Sequence, residues 1–293
     1  MNKNSLHSSF TRSLLSWFKK EKRTLPFRET KDPYRVWLSE IILQQTQMET
    51  GIKYYKKFID KFPKIEDLAK AKQEEVYSLW QGLGYYNRAK NLHKTATIII
   101  QGKKKFPKKF ECLIKLPGIG KYTASAIASI CFNERRYVID ANVYRVLSRA
   151  FGLKTNINNT KAYGEFYDLT SSLGESAKNT GDYNEAIMDF GGTVCLPKKP
   201  KCETCFYNKK CFGFKKDLVE NLPVKKNRKK IKNRFFNYFV FESKDGFLIK
   251  KRSKKDIWEN LFEFYLIENK NSKKALKLLE KSTTKKLPKP EIK

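Results

Sequence analysis

The chain has 293 residues, of which 40% are hydrophobic and 14% are aromatic, and this is enough apolar material for two packed domains. Its 62 lysines and arginines outnumber its 30 aspartates and glutamates by 32 charges, which indicates a polyanionic partner, although lysine drift in an AT-rich genome accounts for part of such an excess. The sequence contains no apolar run long enough to span a membrane and no signal-peptide core, so we expect a cytoplasmic protein.

The amino-terminal part of the chain predicts two helices with a break between them. Leucines and a phenylalanine recur at helical spacing over residues 9–20, and the run 25–28 interrupts the pattern. Asp32 is a typical helix N-cap and Pro33 suits the first helical position, so a second helix is predicted up to Leu43.

Glu40 lies on the apolar side of that second helix. Residues three or four positions away share its face, and these are Val36, Trp37, Leu43 and Gln44. Desolvation on such a face raises the pKa of a carboxyl, which suits a general acid near neutral pH. The alternative is an edge position from which Glu40 reaches water or pairs with Arg28.

Two polar stretches follow, and both contain side chains suited to contacts with bases. Amides within 44–47 can fill the gap left by an extruded base, although a surface turn would have the same composition. The stretch 82–89 combines glycines, tyrosines and an arginine, which suits base stacking but is a weak signal. Further helices are predicted at 52–62, 65–71, 76–80 and from this stretch to residue 100.

The run 116–122 reads Leu-Pro-Gly-Ile-Gly-Lys-Tyr and predicts a tight hairpin between two helices. Gly118 and Gly120 leave backbone N–H groups uncovered at the start of the second helix, where a DNA phosphate would fit. A helix–helix corner without a ligand is the alternative. Cys112 and Cys131 flank the hairpin and are expected in the core.

Asp140 follows an apolar segment and precedes a predicted helix, so it occupies an N-cap position. A carboxylate there accepts backbone N–H bonds and interacts with the helix dipole, which keeps it ionised. It therefore either caps the helix only or also stabilises a cation that forms in a reaction, and the two roles are compatible.

Four cysteines are crowded into a short segment, with spacings of six, two and five residues between them: Cys195, Cys202, Cys205 and Cys211. Such a set binds either zinc or an iron–sulfur cluster, and the single C-x2-C pair with loose flanks favours the cluster. The crowding also argues against a disulfide framework.

The pattern changes after a basic linker, which we place at 216–234. Seven of the ten residues at 225–234 are lysine or arginine. A strand is predicted from residue 235, followed by a turn at 244–246, a return strand at 247–249 and a helix at 272–281. These elements predict a short α+β module at 235–293.

Together, these motifs resemble those of the helix-hairpin-helix DNA glycosylases, most closely the adenine glycosylases of the MutY type, over residues 8 to about 215. The resemblance implies a mainly α, two-lobed fold, with a six-helix barrel at 29–134 and a second lobe formed by 1–28 and 135–215. It implies that the four cysteines hold one 4Fe–4S cluster in the second lobe. The module at 235–293 resembles a truncated Nudix-like domain.

The family reaction removes adenine mispaired with 8-oxoguanine or guanine in double-stranded DNA. By resemblance, Glu40 protonates the adenine and Asp140 stabilises the positive charge left on the sugar. Tyr122 and Asn142 match positions near the sugar, and Arg28 and Glu185 match positions near the adenine. The DNA contacts expected in addition are Gln45, Thr46, Tyr85, Gly118, Gly120 and Lys121.

Two alternatives remain open on the sequence. Glycosylases of the endonuclease III type resemble the chain but carry at the position of Tyr122 a lysine that forms a Schiff base and cuts the strand, which tyrosine cannot do. A DNA-binding protein with a structural metal and no catalysis is the other alternative.

The chain departs from the family at Phe27, where tryptophan is usual, and at Tyr265, where proline is expected. It also ends before the family loop that touches the oxidised base, so we expect adenine excision with a weakened preference for 8-oxoguanine. We expect a monomer.

Overall fold

The computed structural model describes residues 3–102, 105–225, 233–252, 256–259 and 261–283. The chain divides into two compact units. The first comprises Met1–Gly84 and Arg88–Asn227, and the second comprises Tyr85–Asn87 and Arg228–Lys293. Most of the predicted linker segment 225–234 lies outside the described residues.

The first unit is helical. Its helices are α1 (Lys3–Glu21), α2 (Pro33–Leu43), α3 (Met48–Lys61), α4 (Ile65–Lys70), α5 (Gln73–Trp80), α6 (Asn87–Gln101), α7 (Phe110–Leu113), α8 (Lys121–Phe132), α9 (Ala141–Phe151), α10 (Ala162–Gly174), α11 (Thr180–Thr193) and α12 (Phe212–Lys215), with short 3-10 turns at Pro26–Arg28 and Asn208–Lys210. The mainly α class is thus confirmed. None of the described helices is both long and apolar enough to cross a membrane.

Helix α11 is central to one part of this unit, because it packs against α1, α8 and α9. The apolar core of this part includes fully buried side chains of these helices, with Phe10, Leu14, Tyr183 and Ile187 among them. Helix α2 packs against both α3 and α8. The contacts of α2 and α11 with α8 bring residues from distant parts of the chain to one place. The proposed division into a barrel lobe and a cluster lobe stays a prediction.

The predicted helix starts at Asp32 and Asp140 are confirmed. The Asp32 carboxylate accepts the backbone N–H of Tyr34 at 2.9 Å, and the Asp140 carboxylate accepts that of Val143 at 2.7 Å. Each bond satisfies a donor that the first turn of a helix leaves without a partner.

The hairpin between α7 and α8 forms as the sequence predicts. Gly118 has φ +76°, and a Cβ there would lie 2.7 Å from Cβ of Asn91, so both the backbone and the space favour glycine. Helix α7 has only four residues, and Cys112 within it is exposed. The expectation that Cys112 belongs to the core was wrong, because α7 packs with Leu113 inward and leaves Cys112 exposed; Cys131 is half-buried.

Within its described residues, the second unit contains three antiparallel strand pairs and helix α13 (Ser272–Thr283). The pairs are β1 (Phe236–Phe239) with β6 (Tyr265–Glu268), β2 (Glu242–Ser243) with β3 (Gly246–Phe247), and β4 (Lys250–Lys251) with β5 (Phe262–Glu263). The predicted strand, turn and helix are therefore present. Gly246 has φ +123°, which explains the glycine in the β2–β3 turn.

Candidate active site

Glu40 and Asp140 line one cavity of about 180 Å³. Because about 10–15 Å³ of such volume holds one water, the cavity has room for on the order of ten waters, or for a flat group of similar bulk. Its remaining lining side chains come from α2, α3, α8, α9, α11 and the segment before α2: Arg23, Leu25, Phe27, Arg28, Val36, Ser39, Leu43, Met48, Tyr122, Ile130, Asn142, Glu185 and Met188. All the residues expected near the adenine and the sugar thus come together.

Burial raises the pKa of Glu40 from 4.5 to about 7. A hydrogen bond with Tyr122 and the charge of Arg28 act against the shift, whereas the charges of Glu185 and Asp140 add to it. The apolar face predicted around Glu40 is present, since Val36 and Trp37 on the same helix are buried. Glu40 is therefore poised to hold a proton near neutral pH.

Tyr122 stands in α8 beside Glu40. Its hydroxyl donates to Met188 Sδ at 3.1 Å, and the side chain lines the same cavity as Glu40. Burial, together with the nearby carboxyls of Glu40 and Asp140, raises the pKa of Tyr122 well above its usual value. The phenol therefore stays neutral and keeps its proton throughout the range in which enzymes work.

Asp140 is held in place by two bonds. One Asp140 oxygen accepts the N–H of Val143, and the other accepts Nδ2 of Asn142 at 2.7 Å. Burial raises the pKa of Asp140, and these hydrogen bonds and the nearby Arg145 act against the rise. The carboxylate is thus fixed in direction toward the cavity it lines.

Asn142 is in turn fixed by Arg145, whose Nη2 donates to Asn142 Oδ1 at 2.8 Å and to the carbonyl of Gly191 at 2.7 Å. The Nε of Arg145 donates to the carbonyl of Cys195 at 2.7 Å. Gly191 is needed for this approach, because a Cβ at this position would lie 2.6 Å from Cβ of Asn142.

A buried ion-pair group occupies another side of the cavity. Arg28 lies 3.2 Å from Glu185 through Nε and bonds the carboxylate of Asp189 through both terminal nitrogens. Arg23 bonds the same carboxylate through Nε at 2.7 Å and through Nη2. Although burial of Asp189 would raise its pKa, the two arginines outweigh this effect and hold the pKa below its usual value.

The polar stretch after α2 has unusual backbone geometry. Gln45 has φ +56°, and Tyr85, in the later glycine-rich stretch, has φ +48° and is 67% exposed. Positive φ is rare for residues other than glycine and concentrates at functional sites. Thr46 Oγ1 donates to the carbonyl of Gln44 at 3.4 Å, and Gln44 Nε2 donates to Thr123 Oγ1 at 3.3 Å, which ties this turn to α8.

At the hairpin, Gly120 precedes the first turn of α8 without a side-chain cap. The backbone N–H groups of such a turn suit an anion. Lys121 is exposed, and its ammonium lies 4.9 Å from the ring centroid of Tyr163. Lys121 does not line the cavity, whereas its neighbour Tyr122 does.

The four clustered cysteines line a second cavity, between α9 and the segment after α11. All four are free thiols, and Cys195 Sγ accepts Nη1 of Arg149 at 3.5 Å. Within the described residues, no set of three or more His, Cys, Asp or Glu side chains is arranged to bind a metal ion. Four half-buried sulfurs line one space, and thiolates are the donors that both zinc and iron–sulfur clusters take.

Several residues of these two sites were not found from the sequence. Arg145 and Arg149 are buried in α9, where they donate hydrogen bonds to carbonyls of the cysteine segment. The signal available in the sequence was their spacing of four residues, which places both arginines on the apolar face of one helix. Arg88 donates to the carbonyls of Ile41, Ile42 and Gln44 at the end of α2, so it caps a helix. Asp189 and Met188 gave no local signal.

The comparisons with known proteins agree with this geometry. Residues 38–170 match the family model of the HhH-GPD superfamily base excision DNA repair proteins. An adenine DNA glycosylase of Buchnera aphidicola subsp. Schizaphis graminum is 39% identical over 257 residues, which are 87% of this chain and 74% of the relative. The chain belongs to the adenine DNA glycosylase family.

Solved structures place the family fold on the helical part of the chain. A thermostable thymine-DNA glycosylase is 31% identical, with a TM-score of 0.67 over 74% of this chain and 100% of its own. An endonuclease III in a non-covalent DNA complex is 20% identical, with a TM-score of 0.62 over 74% of this chain and 99% of its own, which shows the shared fold. These likenesses show that the chain shares the fold of these DNA-repair enzymes over about three quarters of its length, 74% in each case.

Proposed function

We propose that this member of the adenine DNA glycosylase family removes adenine mispaired with 8-oxoguanine or guanine, by hydrolysis of the N-glycosidic bond. The observation that carries the proposal is the shared cavity of Glu40 and Asp140, two carboxyls in different environments. Burial raises the pKa of both, that of Glu40 to about 7, but at Asp140 the hydrogen bonds from a helix start and an amide act against the rise. Such a division between a proton donor and a fixed anion is typical of glycosidic cleavage.

The first step is the entry of an extruded adenine into the cavity, since the atom to be protonated is not accessible inside a duplex. Glu40 then donates its proton to N7 of adenine, which makes the base a better leaving group. Arg28 and Glu185, paired at 3.2 Å, offer a donor and an acceptor to the edge of the base.

The bond from the sugar to the base breaks as the proton is transferred, and positive charge develops on the sugar. The Asp140 carboxylate stabilises this charge, and Asn142 holds the carboxylate in position. Water then adds to the sugar carbon, and its proton passes to the Glu40 carboxylate, which restores the acid; the products are free adenine and an abasic site.

The same geometry supports a glycosylase without lyase activity. The cavity presents the Tyr122 hydroxyl where a strand-cutting relative would need an amine, and a phenol cannot form an imine. Lys121 is the nearest amine in sequence, but it lies over the ring of Tyr163 outside the cavity lining. The endonuclease III type of reaction is therefore not favoured.

We also propose that Cys195, Cys202, Cys205 and Cys211 hold one 4Fe–4S cluster. Support comes from their shared cavity and from Arg149, which fixes the segment through the carbonyls of Leu196 and Pro197. The cluster would supply structural cross-linking, because hydrolysis needs no redox step. The exposed lysines of this segment then face a DNA backbone: Lys198, Lys199, Lys201, Lys209 and Lys210.

The function is tested by base release under single-turnover conditions from duplexes that contain A opposite 8-oxoguanine, guanine, cytosine or thymine. We expect release of adenine opposite 8-oxoguanine and guanine and no strand scission until alkali is added. Release of a different base, or DNA binding without any release, would contradict the proposal. For the cluster, we expect iron and visible absorbance in anaerobically purified protein; stoichiometric zinc without iron would contradict it.

A further inference from the structure

Arg88, the second residue of α6, holds the end of α2. Its Nη1 donates to the carbonyls of Ile41 and Ile42 at 3.0 and 3.2 Å and also to that of Gln44. The last carbonyls of a helix have no partner within the helix, so a guanidinium placed here satisfies them and its charge complements the helix dipole. The residues that follow α2, 44–47, form the glutamine turn.

The other terminal nitrogen of Arg88 reaches a different segment, the glycine loop formed by residues 81–84. Nη2 donates to the carbonyls of Leu83 and Gly84 at 3.1 and 3.4 Å. Trp80 supports this arrangement, because its Nε1 donates to the Gly84 carbonyl at 2.9 Å and its ring centroid lies 5.0 Å from Arg88 Cζ. One planar guanidinium therefore bridges the glutamine turn and the glycine loop, which suits the fixed fork of arginine but not the point charge of lysine.

The glutamine turn presents its side chain on a strained backbone. Gln45 has φ +56°, which is unfavourable for a residue with a Cβ and persists only where the surrounding structure holds it. The carbonyl before it, that of Gln44, accepts from Arg88, and the amide after it, that of Thr46, donates to the carbonyl of Leu43 at 3.2 Å. Gln45 itself is exposed, so the turn offers an amide side chain to a ligand.

We propose that Arg88 is a positioning residue that locks the glutamine turn and the glycine loop into one rigid edge, from which Gln45 fills the gap left by an extruded adenine. The inference rests on the proposed function, in which adenine leaves the stack before Glu40 protonates it. An amide suits this gap because it both donates and accepts hydrogen bonds. Rigid support matters, since a displacement of about 1 Å far from the chemistry can cost about 100-fold in rate.

The lock is tested by amide hydrogen exchange in Arg88→Lys, because lysine keeps the charge and the stem but cannot bridge both segments. We expect exchange to accelerate at Thr46 and Leu83 together, since each N–H closes one of the two segments. Gly84→Ala is a second variant that also serves if Arg88→Lys unfolds. Its Cβ would meet nothing within 4 Å, but φ +68° strains the glycine loop, and the lock then accelerates exchange at Thr46 as well.

Single-turnover adenine release from a duplex with A opposite G tests the consequence for the reaction. We expect Arg88→Lys to lower the rate by about tenfold while duplex binding is unchanged. The emission of 2-aminopurine at the adenine position, which rises when the base leaves the stack, should rise less than with the wild type. Arg35→Lys, the same change at a half-buried position of α2, is the matched control and should behave like the wild type.

A double variant separates positioning from a merely structural role. Because Arg88 acts through Gln45, Arg88→Lys added to Gln45→Ala should lower the rate by less than about twofold further. Full additivity of the two substitutions, or faster exchange in only one of the two segments, would overturn the lock. Absence of adenine release from the wild type would instead overturn the proposed function and with it the role of Gln45, whereas the exchange result would still decide whether Arg88 joins the two segments.

Discussion

Replacement of the half-buried acid, Glu40→Gln, should have opposite effects on activity and on stability. Glutamine keeps the shape and the polar atoms of the side chain but carries no proton to donate to adenine. We expect base release to fall to the background rate while binding of the mispaired duplex persists. The same substitution removes a carboxyl whose ionised form the folded state disfavours. The difference in the free energy of unfolding between the variant and the wild type should therefore change with pH.

The size of the stability effect follows from the pKa. Burial raises the pKa of Glu40 from 4.5 to about 7. Folding raises the pKa of this carboxyl, so its protonated form supports the folded state. That contribution is fully present below the pKa of the unfolded state and is lost as pH rises through the pKa of the folded state. At 1.36 kcal/mol per unit, ionised Glu40 costs about 3 kcal/mol at pH 8 but less than about 1 kcal/mol at pH 5.

Urea unfolding of the wild type and of Glu40→Gln at pH 5 and pH 8 measures this difference. We expect the variant to gain about 2 kcal/mol relative to the wild type between the two pH values. The control is Glu74→Gln, an exposed glutamate of α5, for which no such gain is expected. The reasoning would be refuted if the stability difference between Glu40→Gln and the wild type were the same at both pH values. It would also be refuted if base release survived the substitution.

Three further substitutions test other parts of the site. Asp140→Asn keeps a good N-cap for Val143, so the free energy of unfolding in urea should change by less than about 1 kcal/mol. The rate of single-turnover adenine release should fall by about 100-fold or more, because the anion is lost. Tyr122→Lys places an amine in the cavity, and borohydride should then trap a covalent DNA complex that the wild type does not form. Asp189→Asn leaves Arg23 and Arg28 without their buried anion and should lower the free energy of unfolding in urea by about 3–5 kcal/mol. The control is Asp182→Asn at an exposed position of the same helix, which should lower it by less than about 1 kcal/mol. Equal losses in the two variants would contradict this account.

The helix starts, the hairpin and the apolar surroundings of Glu40 were predictable from the sequence, because each depends on residues within a few positions of one another. Asp32 and Asp140 precede helices and bond backbone groups two or three residues away. Gly118 was recognisable because only glycine adopts its backbone conformation at no cost. The same local rule failed for Cys112, because the packing of α7 buries the neighbouring Leu113 and leaves Cys112 exposed.

The ion pairs of Asp189 were not predictable, since Asp189 is separated by 161 residues from Arg28 and by 166 from Arg23. Nothing in the local pattern around Asp189 distinguishes it from an exposed aspartate. Arg88 follows two tyrosines in the sequence, and this combination suggested contacts with bases. In the structure, Arg88 donates hydrogen bonds to carbonyls at the end of α2. A charged side chain acquires its role from the partner that the fold brings to it.

The sequence by itself determined the kinds of element and the chemistry available at their ends: an acid on an apolar helix face, a carboxylate at a helix start and four thiols in one segment. The tertiary structure alone decided that α2, α8, α9 and α11 enclose a single cavity, in which Glu40, Tyr122, Met188 and Asp140 meet. The reason is physical. Backbone periodicity acts over a few residues, whereas the desolvation that raises the pKa of Glu40 depends on the packing of helices far apart in the chain.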